Sequence, residues 1–147
     1  MNKANMLRIL TYVLVFGAIF KGTDSFSKGN HSKGLREIMA YGVIPLSLSA
    51  TIRHIALSGS IIKGGKFFEF EAGGTNLALA VAAIVSLVQK MSNEAMGLIF
   101  LIYAIYLFMG SIAWYIYKPK GRILLWLLKF WSIGSAFAYF AYIGLTH

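Results

Sequence analysis

Long uncharged stretches alternate with short polar clusters along this chain of 147 residues. Each apolar stretch approaches the length of about 17–25 residues that a membrane-spanning helix requires. The pattern therefore predicts an all-α integral membrane helix bundle with a single domain over residues 1–147. Its five transmembrane helices, joined by short loops, are predicted at residues 6–22, 38–58, 72–89, 95–117 and 123–145.

The second segment is the one on which hydropathy and charge disagree. Pro45 lies inside it, and Arg53 and His54 follow its longest uncharged run. With five spans, eight Lys and Arg residues outside the spans fall on one side of the membrane and five on the other. If residues 38–62 do not cross, the division is ten against three, which the positive-inside rule prefers. Hydropathy thus favours five spans and charge favours four.

The first segment is short for a span and also resembles the core of a signal peptide. No pair of small residues typical of a cleavage site follows it, because the next residues are Lys21-Gly22-Thr23-Asp24. We therefore predict a retained helix. Residues 21–37 contain several glycines together with Lys28, Lys33 and Arg36, and they are predicted to form a basic loop.

Composition places most of the chain in lipid. Hydrophobic residues make up 58% of it and charged residues 13%, against about a quarter charged in soluble domains. The net charge is +9, and the basic residues adjoin apolar runs, which indicates a lipid bilayer with anionic headgroups as the partner and argues against nucleic acid. The absence of Cys excludes disulfides and thiolate chemistry.

The stretch from Phe67 to Ala78 places two carboxylates and an amide at the mouth of an apolar helix. At helical spacing, one stripe runs along this helix through Glu69, Gly73, Asn76, Ala80 and Ala83. Small residues allow a neighbouring helix to approach closely. Predicted helix-packing residues are Gly73, Gly74, Ala78 and Ala80, with Gly110 on the following helix.

A polar site is predicted where the second segment ends and the third begins. Its members are Glu71, Asn76, Arg53, His54 and Glu69, and Glu71 is expected to pair with Arg53 or His54. The structural alternative is simpler: acids in a first helical turn complement the helix dipole, and Asn76 forms a hydrogen bond that holds two helices together.

Catalytic motifs give no support for an enzyme. The chain lacks Gly-x-Ser-x-Gly, a Walker-type loop, Gly-x-Gly-x-x-Gly and His-Glu-x-x-His. We therefore expect no catalytic residues, no cofactor and no metal. His54 leaves one alternative open, a His-dependent membrane redox protein.

The run Phe68-x-x-Glu71-x-Gly73-x-x-Asn76-Leu77-Ala78 resembles a motif of a family of small multi-pass membrane proteins of bacteria and archaea whose function is not known. The resemblance covers about residues 40–117, and His54 stands where that family ends the preceding helix with a His. Tyr115 stands near the place of a second family His. The resemblance implies a multi-pass protein of a prokaryotic cell membrane and directs attention to Glu71 and Asn76.

The favoured function is a transport, channel-like or accessory membrane component with a polar site at one membrane face. The alternative is an assembly subunit whose small-residue seams bind a second copy of the chain or another membrane protein.

Overall fold

The computed structural model describes residues 3–56, 66–117 and 123–147 and is built from helices throughout these ranges. The α-helices are α1 (Lys3–Ser27), α2 (His31–Ile38), α3 (Ile44–Ile55), α4 (Lys66–Val88), α5 (Asn93–Tyr117) and α6 (Ile123–Thr146). A five-residue π-helix, Met39–Val43, joins α2 to α3 without a break. The predicted all-α helix bundle is confirmed.

Four helical segments are long and apolar enough to cross a membrane: Asn5–Ser27, His31–Ile55, Phe70–Val88 and Asn93–Ala113. The second segment, on which charge and hydropathy disagreed, is one of them. The fifth predicted span corresponds to α6, which has 24 residues. Large apolar side chains are exposed on many helices, among them Phe20 at 80% and Val88 at 71%. Lipid is the solvent that suits such a surface.

The predicted basic loop over residues 21–37 is wrong, because α1 continues to Ser27 and α2 already begins at His31. The chain reverses over three residues only. Gly29, at a φ of +75°, donates its N–H to Phe26 O at 2.9 Å, and Asn30 N donates to Ser25 O at 2.9 Å. This is a Schellman ending, in which a left-handed residue closes the helix.

Glycines that indicated a loop instead bring α1 and α2 into close contact. A Cβ at Gly22 would collide with the Ile38 side chain, and one at Gly34 would collide with the Phe26 ring. The same added Cβ at Gly34 would lie 2.9 Å from the Gly22 carbonyl oxygen. Both positions are buried, so the absent side chains are what permits the two helices to meet.

The helices form two compact units, Met1–Met91 and Ser92–His147. In the first unit, α3 packs mainly on α4, and α1 packs on α2. Most of its fully buried side chains are apolar, and they include Val15, Leu35, Ile38, Met39, Val43, Ala80 and Ala83.

In the second unit, α5 packs along α6 around a cluster of aromatic rings. Phe100 lies 5.6 Å from Phe137 and 5.8 Å from Phe140, measured between ring centroids, and Tyr103 lies 5.3 Å from Phe137. The helices touch closely at Gly97 and Gly144, whose backbones face each other.

Single cysteines at Ser32 and Ala56 are expected to react with a membrane-impermeant thiol reagent from opposite sides of the membrane. The two positions flank a continuous helical segment of 25 residues, which is about 37 Å long and exceeds a hydrocarbon core of about 30 Å. The chain has no Cys, so labelling of each variant in intact and permeabilised cells reports one position. Labelling of both positions from the same side would show that this segment does not cross.

Candidate functional site

The first of the predicted polar residues, Arg53, is buried in the last turn of α3. Its side chain is 9% exposed, and its Nε donates a hydrogen bond to the Ser49 carbonyl oxygen at 3.2 Å. Ser49 and Ser47, four and six residues earlier on the same helix, are also buried. Their hydroxyl oxygens have no hydrogen-bond partner among the residues that the structure describes. A run of polar groups thus lies inside an apolar helix.

One hydrogen bond joins this run to α4. The Thr51 hydroxyl lies 3.2 Å from the Gly73 carbonyl oxygen and 3.0 Å from the Ser47 carbonyl oxygen, and both accept from it. The helices come this close because Gly73 has no side chain: an added Cβ would lie 2.5 Å from Ile55 Cγ1 and 3.4 Å from His54 Cβ. The structure therefore brings the end of α3 against the position of Gly73.

Asn76 is 3% exposed on the same buried side of α4. Its Nδ2 donates to the Ala72 carbonyl oxygen at 2.7 Å, one turn earlier on the same helix. Ala80 and Ala83 continue this side and are completely buried. We name the set Ser47, Ser49, Thr51, Arg53, Gly73 and Asn76 the polar seam; its members are buried except Thr51, which is half-buried.

Other predicted site residues lie away from the polar seam. Glu71 is exposed, and the two ion pairs found among the described side chains do not involve it. Gly74 and Ala78 are also exposed, and a Cβ at Gly74 would meet nothing within 4 Å. The Glu69 side chain lies outside the described residues.

His54 and Gly110 complete the predicted set. His54 is half-buried at the end of α3, next to the close approach at Gly73. Gly110 is half-buried on α5, where an added Cβ would meet nothing within 4 Å. Across the described ranges, no three His, Asp or Glu side chains form a group that could hold a metal ion.

A second polar cluster, which the sequence did not predict, lies where α1 packs on α2. The Glu37 side chain is only 12% exposed. Its Oε1 lies 3.1 Å from Lys21 Nζ, and its Oε2 accepts a hydrogen bond from Ser25 Oγ at 2.9 Å. These residues were assigned to a loop, where no helical spacing relates them, so the only signal available was the pair of glycines that packs the two helices.

The fold and its apolar helices define the class as an all-α bundle with four helices suited to cross a membrane. Comparison with known proteins adds no relative, since no family model, no curated protein and no solved structure matches the chain.

Proposed function

We propose that this chain is a non-catalytic, multi-pass integral membrane protein of a prokaryotic cell membrane that provides a path or a binding position for a small polar solute. The polar seam of α3 and α4 is the site, with Arg53 and Asn76 as its functional side chains and His54 beside it at the end of α3. The resemblance of residues 68–78 to a family of small multi-pass membrane proteins supports the topology and adds no activity.

The observation that carries this proposal is the burial of Arg53 and Asn76 within segments apolar enough to cross a membrane. Ionisable and amide groups inside membrane helices are costly, and they mark solute or proton pathways more often than other residues do. The buried hydroxyls of Ser47 and Ser49 add polar groups on two sides of α3, because two residues correspond to a rotation of about 200°. A hydroxyl buried without a hydrogen bond costs about 1–3 kcal/mol, so their presence favours a role in contacting a polar solute.

Glu71 has a different role in this proposal. Its exposure places it outside the polar seam, near the first turns of α4. A carboxylate there stays hydrated and complements the positive end of the helix dipole. The functional test therefore uses Asn76 rather than Glu71.

Reconstitution into liposomes tests the proposal. Purified protein is expected to raise the permeability of liposomes to a small polar solute or ion, measured across a panel by light scattering and ion-sensitive dyes. Asn76→Leu is expected to lower that permeability by roughly tenfold, which corresponds to about 1.4 kcal/mol in the barrier. The reason is that an apolar side chain replaces a buried hydrogen-bonding group, worth about 1 kcal/mol.

Thr75→Leu is the matched control, since Thr75 is the neighbouring residue and is exposed. It is expected to leave permeability unchanged. Permeability no higher than that of empty liposomes for every solute would contradict a transport function. Equal losses in the Asn76 and Thr75 variants would show that the seam is not the path.

The second candidate is an assembly subunit, and a separate observation favours it. Gly74 and Ala78 are exposed and four residues apart on α4. Small residues at this spacing let a second helix approach closely. A second copy of the chain or another membrane protein would then pack on this face.

A further inference from the structure

An open cavity of about 630 Å³ lies within the first unit, at the end where α1 stops and α2 begins. It is lined by the turn before α2 and by residues of α2, the π-helix and the last turn of α4, including Asn30, Lys33, Arg36, Glu37, Tyr41 and Leu87. None of these belongs to the polar seam. The proposed transport function therefore does not account for this cavity.

The two basic side chains that line this cavity, Lys33 and Arg36, outnumber its one lining carboxylate, Glu37. At this end of the unit, Lys21 is paired with Glu37, and Lys28 is paired with Asp24 at 2.6 Å. Lys33 and Arg36, which line the cavity, have no carboxylate partner in the described parts of the chain. Because both acids at this end are already neutralised, the cavity retains an excess of positive charge.

Arg36 is held in place by the turn that follows α4. Its Nη2 donates a hydrogen bond to the Met91 carbonyl oxygen at 3.0 Å, and its Nε lies 3.4 Å from Ser32 Oγ. A guanidinium has five N–H donors, so these contacts leave further donors for an anion. A fixed guanidinium loses little entropy when it binds a phosphate.

The remaining wall is mainly apolar, and the Tyr41 ring is its amphipathic member. Ala40, Tyr41 and Leu87 line it, and Tyr41 is 54% exposed. Lys21 Nζ lies 5.5 Å from the centre of the Tyr41 ring, which places a second cation beside this wall. A ligand that fits has a phosphate at one end and an apolar portion at the other.

We propose that this cavity binds a phosphate group, with Lys33 and Arg36 as its ligands, and that the phosphate is the headgroup of an anionic phospholipid. Helix ends that face the headgroup region are where such lipids meet basic pockets. The site uses no residue of the polar seam. The lipid-binding proposal therefore does not depend on the proposed transport function.

Thermal stability in detergent micelles tests this proposal. Phosphatidylglycerol is expected to raise the unfolding temperature in a concentration-dependent way, whereas phosphatidylcholine with the same chains is not. The double variant Lys33→Gln/Arg36→Gln is expected to weaken the apparent affinity for phosphatidylglycerol by at least about tenfold, because each cation near an anionic headgroup contributes roughly a fivefold factor.

The matched control is Lys28→Gln/Lys90→Gln, which removes two positive charges from residues that do not line the cavity. It is expected to retain the affinity, and Arg36→Lys, which keeps the charge, is expected to retain most of it. Equal weakening in both double variants would overturn the proposal by reducing the effect to general charge attraction. Equal stabilisation by phosphatidylcholine would overturn it as well.

Inorganic phosphate and glycerol 3-phosphate distinguish the two sources of the phosphate. If neither stabilises the protein nor competes with the lipid at millimolar concentration, the membrane lipid is the ligand. If inorganic phosphate stabilises the protein and Lys33→Gln/Arg36→Gln removes that effect, the cavity is a phosphate site, and the assignment of the lipid as its source is overturned.

Discussion

Gly144→Ala is expected to destabilise the Ser92–His147 unit by about 3 kcal/mol, at the upper end of the usual cost of overpacking. An added Cβ at Gly144 would lie 2.7 Å from the Asn93 carbonyl oxygen, 2.7 Å from Gly97 Cα and 2.9 Å from Gly97 N. All three are backbone atoms, so no side chain can rotate away, and α6 must separate from α5. The loss then extends to the aromatic cluster that these helices share.

Intrinsic fluorescence measures this effect directly. All three Trp residues, Trp114, Trp126 and Trp131, belong to this unit, so unfolding in detergent by Trp emission reports it alone. Gly110→Ala on α5 is the control, because a Cβ there meets nothing within 4 Å. It is expected to be neutral or to stabilise by about 0.5–1 kcal/mol, as Ala is the better helix former. Equal destabilisation by the two variants would show that Gly144 is not a contact point.

Gly73→Leu is expected to separate α3 from α4 in the first unit. The new side chain must displace Ile55 and His54, and it disrupts the hydrogen bond between the Thr51 hydroxyl and the Gly73 carbonyl oxygen. We expect a loss of about 3 kcal/mol, which corresponds to roughly a hundredfold increase in the population of the open form. A single Cys at the buried Ala50 position measures it as a faster reaction with a thiol reagent.

Gly74→Leu is the matched control, one residue along the same helix. Gly74 is exposed and its added Cβ meets nothing, so the reactivity of the Cys at position 50 is expected to stay unchanged. The two variants also separate the candidate functions. If α4 binds another helix through Gly74 and Ala78, Gly74→Leu shifts the oligomeric state or releases a partner while the first unit stays closed. Similar thiol reactivity in the two variants would contradict the assigned contact.

Sequence periodicity located the helices and one side of α4 correctly because both follow from spacing alone. Gly73, Asn76, Ala80 and Ala83 recur at helical intervals, and all four are buried. The predicted pairing of Glu71 with Arg53 could not be judged from proximity along the sequence alone. It also depends on the side of α4 that carries Glu71. Five residues separate Glu71 from Asn76, a rotation of about 140° around the helix, so the two face different sides.

The features that the sequence analysis did not predict depend on contacts between helices. From the sequence, Gly22 and Gly34 were interpreted as helix breakers. In the structure, each of them allows the neighbouring helix to approach closely. The ion pair of Lys21 with Glu37 joins residues 16 positions apart and depends on that crossing. The end of α4 at Val88 lies within one residue of the predicted end at residue 89, although Lys90 adopts a φ of 50°, a conformation that usually selects glycine.

The continuous helix from His31 to Ile55 has the phosphate cavity at its beginning and Arg53 in its last turn. Lys33 and Arg53 are 20 residues apart, or about 30 Å along the axis, while charges in physiological salt are screened within about 8 Å. If this segment crosses a bilayer, the two positions therefore belong to opposite leaflets. A lipid held in one leaflet would then anchor the same helix whose other end carries the buried Arg53.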